Sequence, residues 1–144
     1  MALDLRSGDV RSVMVTALPA ITPKTTIATA LRLMREHGMS TLPVVTDAGL
    51  LGLVNEKALL RFTPSEATTL DVYELRDVLD RLTVARATQA PRAIVAPDAG
   101  LGEAAALMLR TDADVIAVME AGRFVGLVTW CGLLAAALGD PRPV

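Results

Sequence analysis

Residues 50–62, LLGLVNEKALLRF, return as residues 124–136, FVGLVTWCGLLAA. Gly-Leu-Val recurs at Gly52 and Gly126, and Leu-Leu at Leu59 and Leu133, each time at an offset of 74. An internal repeat constrains a fold strongly, because each copy must form the same supersecondary unit. The alignment runs without a gap from residues 10–61 onto residues 84–135. Its other identities are Val10/Val84, Pro23/Pro97, Ala30/Ala104, Leu33/Leu107, Met34/Met108, Val44/Val118 and the flanking Leu60/Leu134.

Each copy reads as strand, helix, strand, strand, helix, which makes the chain an α/β (α+β) protein. A short extended piece at 20–22 or 94–96 stops at Pro23 or Pro97. Ile27, Ala30, Leu31 and Met34 then fall at helical spacing, and Leu101, Ala104, Ala105 and Met108 repeat that stripe. Thr26 is placed as an N-cap, Gly100 with Glu103 is a weaker start signal, and Gly38 suits the left-handed residue that ends a helix. Two strands follow around DAG at 47–49 or EAG at 120–122: residues 42–46 and 50–54, then 115–119 and 124–128. Final helices are expected over 58–62 and 132–138. The boundaries are 1–65 for the first motif, 66–82 for a connecting helical segment and 83–144 for the second, all folding as one module. Leu70, Tyr73, Leu75, Val78, Leu79 and Leu82 form the apolar face expected of the connector.

Composition removes several functions. The net charge of −2 lacks the clustered Lys and Arg of a nucleic-acid surface. The apolar run over 124–138 falls short of the roughly 20 residues of a membrane span. The opening MALDLRSGDVRS has no apolar core of a signal peptide. A single cysteine, Cys131, excludes an internal disulfide and fits a cytoplasmic protein. The chain is 52% hydrophobic with few aromatics. Some apolar surface is therefore expected to be covered by a partner, and a homodimer through the final helices is predicted. Leu59, Leu60, Leu133 and Leu134 are its interface candidates, divided between core and interface.

The series VRSVM, ITP, ALRLMREHGMSTLPVV and GLVNEKALL, repeated at this spacing, resembles a pair of CBS motifs, the module first named from cystathionine β-synthase. The connector EATTLDVYELRDVLDRLTV resembles that of small CBS-only proteins of the acetoin-utilisation type. The resemblance implies a pseudo-twofold pair, commonly dimeric, whose clefts often hold adenosine compounds and which regulates a partner protein. It places cleft candidates at Thr22, Met39, Ser40, Thr41, Leu42, Pro43, Asn55 and Ala58 in the first copy. In the second they are Ala96, Ala113, Ile116, Ala117, Thr129 and Gly132.

Ligand-binding members end the second hairpin strand in Gly-h-x-Thr/Ser-x-x-Asp. The hydroxyl there suits a phosphate at a helix start, and the Asp one turn later suits the ribose hydroxyls. Here those two places hold Asn55 and Ala58, then Thr129 and Gly132. Losing a pair of charged hydrogen bonds costs about 3 kcal/mol or more, roughly a hundredfold in affinity. Adenosine-nucleotide binding is therefore expected to be weak or lost. A sensor that uses Thr129 and backbone groups for AMP, ATP or S-adenosylmethionine is the alternative, and a ligand-free scaffold dimer is another.

Other motifs have plainer readings. A Thr at the place of Thr129 is more often simply an N-cap, Gly132 also reads as a drifted position, and Pro43 as an edge-strand residue. GLGEAA at 100–105, with Glu120 downstream, imitates a dinucleotide fingerprint, but Pro97-Asp98-Ala99 separate it from its strand. One histidine, His37, and one cysteine make neither a metal site nor a nucleophile–base pair. No catalytic residue and no metal ligand is expected, and a regulatory rather than enzymatic role follows.

Overall fold

The computed structural model describes residues 8–61 and 72–139. In the first repeat, Thr26 has extended backbone and its hydroxyl accepts from Thr29 N, so helix α1 begins at Ile27 and runs to His37. Gly38, at φ 63°, ends it. Strands β1 (Thr41–Thr46) and β2 (Gly49–Asn55) then pair antiparallel with a bulge after Val44, and α2 covers Glu56–Leu60. Helix α3, Val72–Arg81, leads into a short 3-10 turn over Val84–Ala87.

The second repeat gives β3 (Ile94–Val95), α4 (Leu101–Thr111), β4 (Val115–Glu120), β5 (Arg123–Thr129) and α5 (Trp130–Leu138). Asp112, at φ 52°, ends α4 where Gly38 ends α1. Asp tolerates that left-handed conformation better than most side chains. The β4–β5 pairing repeats the first hairpin residue for residue, bulge included.

The repeats differ from expectation in four ways. The extended piece at 20–22 is a single parallel bridge, Ile21 with Val44, and no strand, whereas β3 pairs along two residues with β4. Ala117 N donates to Ala93 O in the second repeat. Pro43 stands at the matching place in the first and has no N–H to give. Both final helices start two residues early, because Asn55 and Thr129 act as N-caps. The 58–62 helix ends at Leu60, and Phe62 lies outside the described residues. In the connector, Tyr73 is 81% exposed and leaves the apolar face, while Leu79 and Leu82 pack against the core. Leu70 lies outside the described residues, as do the side chains of Leu75 and Val78.

Contacts gather the chain into two units that are not the two repeats. One is Pro19–Ala90; the other joins the chain up to Leu18 with the chain from Pro91 onward. The first unit buries Ile27, Ala30, Met34, Leu42, Val44, Val54 and Leu59. The second buries Leu101, Ala104, Met108, Ile116, Val118, Val128 and Leu133, the same positions 74 residues later. Each such large aliphatic side chain contributes about 1.5–3 kcal/mol on burial. Three core residues have crossed over: Val10 opens the first repeat but sits in the second unit, and Val84 and Ala87 open the second repeat but sit in the first.

The crossing explains the repeated glycine. Leu53 N donates to Gln89 O and Gln89 N to Leu53 O, at 2.7 and 2.9 Å. Val15 N and Leu127 O, with Leu127 N and Val15 O, make the matching pair at 2.8 and 3.0 Å. A Cβ on Gly52 would stand 2.4 Å from Gln89 O, and one on Gly126 2.7 Å from Val15 O. Only glycine lets these backbones approach so closely. Residues 8–15 and 82–89 are thus two straps, each laid on the hairpin of the other repeat.

Candidate functional site

In each unit a few of the candidate residues meet at the junction where the second hairpin strand turns into its helix. In the first unit Asn55 Oδ1 accepts from Ala58 N at 2.7 Å, and Glu56 N donates to Ser40 O at 2.9 Å. In the second, Thr129 Oγ1 accepts from Gly132 N at 2.9 Å, and Trp130 N donates to Asp114 O at 3.0 Å. The side chains differ, yet the two junctions make the same bonds. Asn55 and Thr129 satisfy first-turn N–H groups that a phosphate would otherwise meet.

The junctions differ in what remains. Thr129 accepts in its cap bond and keeps its own hydroxyl proton to donate. Asn55 keeps its amide donors, but Glu56 follows it directly and puts a carboxylate on the positive end of α2. Helix α5 has no acidic residue in its first turn. An anion is therefore better tolerated at Thr129 than at Asn55.

The other candidates sort by burial. Met39, Thr41, Leu42 and Pro43 are buried in the first unit, and Ala113, Ile116 and Ala117 in the second. Leu42 and Ile116 are fully buried core side chains, so they can meet a ligand only through their backbone. Ser40 and Ala96 are exposed. Thr22 is exposed too, in a turn where its hydroxyl accepts from Lys24 N. Ala58 is 8% exposed and belongs to the first unit's core; Gly132 is buried.

Of the four interface leucines, Leu59 and Leu133 are locked inside their own units and cannot meet a partner. Leu60 and Leu134 are 47% and 56% exposed. Leu138 continues the outer stripe of α5 at 78%, and Cys131 is exposed on the same helix.

His37 Nδ1 lies 2.9 Å from Leu33 O, and since a carbonyl only accepts, that nitrogen carries the proton. The histidine thus closes the end of α1. Gly100 caps α4 and Gly102 lies in its first turn, so the glycines of GLGEAA form no phosphate loop. Among the described residues no group of three His, Cys, Asp or Glu could hold a metal ion, and no helix is long and apolar enough to cross a membrane. Sequence reasoning passed over the role of Gly52 and Gly126 as strap seats, although their exact recurrence was the signal.

Two α+β units built on one plan, each closed by a strap from the other repeat, define a tandem-repeat module. The chain belongs to the CBS-domain family, whose profile matches residues 10–65 and 84–139. Comparison with curated protein sequences gives no match. Among solved structures, the CBS domain of a CBS-domain-containing membrane protein from Sphaerobacter thermophilus is 26% identical, with a TM-score of 0.78 over 92% of this chain and 89% of that one. The CBS domain of a bacterial CNNM/CorC-family Mg2+ transporter, in complex with ATP, is 26% identical, with a TM-score of 0.75 over 94% and 91%. A putative acetoin utilization protein from Vibrio cholerae shares the fold at 21% identity, with a TM-score of 0.74 over 92% and 91%.

Proposed function

We propose that the chain is a non-catalytic regulatory CBS pair, a cytoplasmic homodimer that senses a small molecule or modulates a partner protein. In this reading neither unit holds an adenosine nucleotide tightly. The observation that carries it is the pair of positions 58 and 132. Ala58 and Gly132 offer no carboxylate to a ribose, both are buried, and both have their N–H groups taken by the capping side chains. The lone Cys131 supports a reducing compartment.

Thermal unfolding with AMP, ADP, ATP and S-adenosylmethionine tests the nucleotide part. At about 1 mM ligand, a site of sub-millimolar affinity stabilises the fold by about 1 kcal/mol or less. Small or absent shifts are expected with all four. A large shift with any one overturns this reading.

That result would favour a second reading, an adenosine-nucleotide sensor built on the second unit. The free donor of the Thr129 hydroxyl and the absence of an acidic residue at the start of α5 support it. The ATP bound by the transporter domain, 26% identical, lends it further weight. Thr129→Val would then abolish the shift.

The dimer rests on the exposed Leu60, Leu134 and Leu138. Light scattering at micromolar concentration is expected to give twice the 15.2 kDa chain mass. A mass of one chain overturns it.

A further inference from the structure

We propose that the strap of one chain can dock on the second unit of another, so that two copies form a crossed dimer. Val10 is fully buried. Val13 and Met14 are partly buried against the same core, Arg11 pairs with Glu120, and the remaining ties are backbone to backbone: Val10 N to Ala99 O, Arg11 N to Pro97 O, Leu101 N to Gly8 O, and the Val15–Leu127 pair. Such bonds recognise a short segment that carries a valine and one 3-10 turn over Val10–Ser12, and every copy of the chain carries that segment.

The opposite strap shows the docking to be a property of the seat rather than of one sequence. Val84 N donates to Thr25 O and Ile27 N to Leu82 O, the same bonds in the other unit. Beyond Val10 and Val84 the straps VRSVMV and VARATQ share no residue, yet they lie in equivalent seats.

What keeps the strap 8–15 in its own chain is the short link that follows it. Residues 16–20, TALPA, bond among themselves only through Leu18 N to Thr16 O, and Thr16, Ala17 and Ala20 are exposed. Pro19 restricts how tightly this link folds back. Opening it loses little, and the crossed dimer regains every strap contact of the monomer. The choice between them is then one of concentration. A short flexible tether holds its segment at an effective concentration of order millimolar, so exchange competes as the chain approaches that level. Pairing through α5 is a separate matter, because it leaves each strap at home.

Arg11 Nη2 and Glu120 Oε2 lie 3.2 Å apart, one on the strap and one on the hairpin beneath it, and both side chains are more than half or half exposed. The full chain carrying Arg11→Cys, Glu120→Cys and Cys131→Ser is unfolded, refolded at about 1 µM or about 1 mM, diluted to about 1 µM and joined at once with a short bis-maleimide. Dilution before linking removes chance collisions. Intrachain links are expected after dilute refolding, and doubly linked dimers in at least about tenfold greater yield after concentrated refolding. Intrachain links alone at both concentrations overturn the exchange. If they occur in a particle of twice the mass, pairing through α5 survives and the crossed dimer does not.

Discussion

The first repeat ends in a five-residue helix with Glu56 and Lys57 at its start; the second ends in a nine-residue helix, WCGLLAAAL, without a charge. Their cores, by contrast, correspond position by position, down to the buried valine that each receives from the other repeat. The difference shows where each copy has been held and where it has been free to change. Packing density ties every core residue to several neighbours, so a change there is felt by all of them. A junction residue answers only to the cap bond, and Asn meets that need as well as Thr does.

The largest effect that could break this equivalence is expected at the strap seats. Gly52→Ala and Gly126→Ala each force a methyl group against a backbone carbonyl, which should cost about 1–3 kcal/mol in urea unfolding. Gly52→Ala should be the worse, because its contact is 2.4 Å against 2.7 Å. A harmless alanine at either place would mean that the strap is not held as described.

The caps come next. Asn55→Ala and Thr129→Ala should each cost about 1 kcal/mol, the ordinary value of an N-cap side chain. Equal losses would establish that the junctions are equivalent in energy as well as in geometry. A loss confined to Thr129→Ala would separate them, giving only the longer helix a dependence on its cap.

The smallest effect lies at the hairpin turns, where the units differ in backbone. The first places its positive φ on Gly49; the second places one on Ala121, at φ 52°, as well as on Gly122. Left-handed backbone costs a residue with a Cβ about 1 kcal/mol, partly offset by the greater freedom of glycine in the unfolded chain. Ala121→Gly should therefore stabilise the second unit by about 0.5 kcal/mol, and the shift of its urea midpoint measures this. A lowered midpoint would place the strain elsewhere.

Much of the framework was legible in the residues. The stripe Ile27, Ala30 and Met34 did become the buried face of α1, because helical periodicity reports burial directly, though Leu31 is only partly buried. The hairpins were legible because the repeat supplied each twice. The starts of α2 and α5 lie two residues earlier than the sequence suggested, because the cap bonds of Asn55 and Thr129 begin each helix directly at the strand end. The bridge at Ile21 goes unextended because Pro43 has no N–H to give, and it pairs residues 23 apart, which no local pattern carries. The crossing of the straps was hidden for the same reason, since it joins Val15 to Leu127 and Leu53 to Gln89.

The crossing also sets an order in time. Chains emerge from the ribosome at about 5–20 residues per second, amino terminus first. The unit Pro19–Ala90 is contiguous, so it is complete as soon as residue 90 is free. Val10 and Val15 are made earlier still, but their seats on Ala99 and Leu127 are among the later residues to appear. At those speeds the strap waits of the order of ten seconds with its valines uncovered. A strap made early is among the last elements to find its place, and in a crowded polysome the nearest vacant seat can belong to a neighbour.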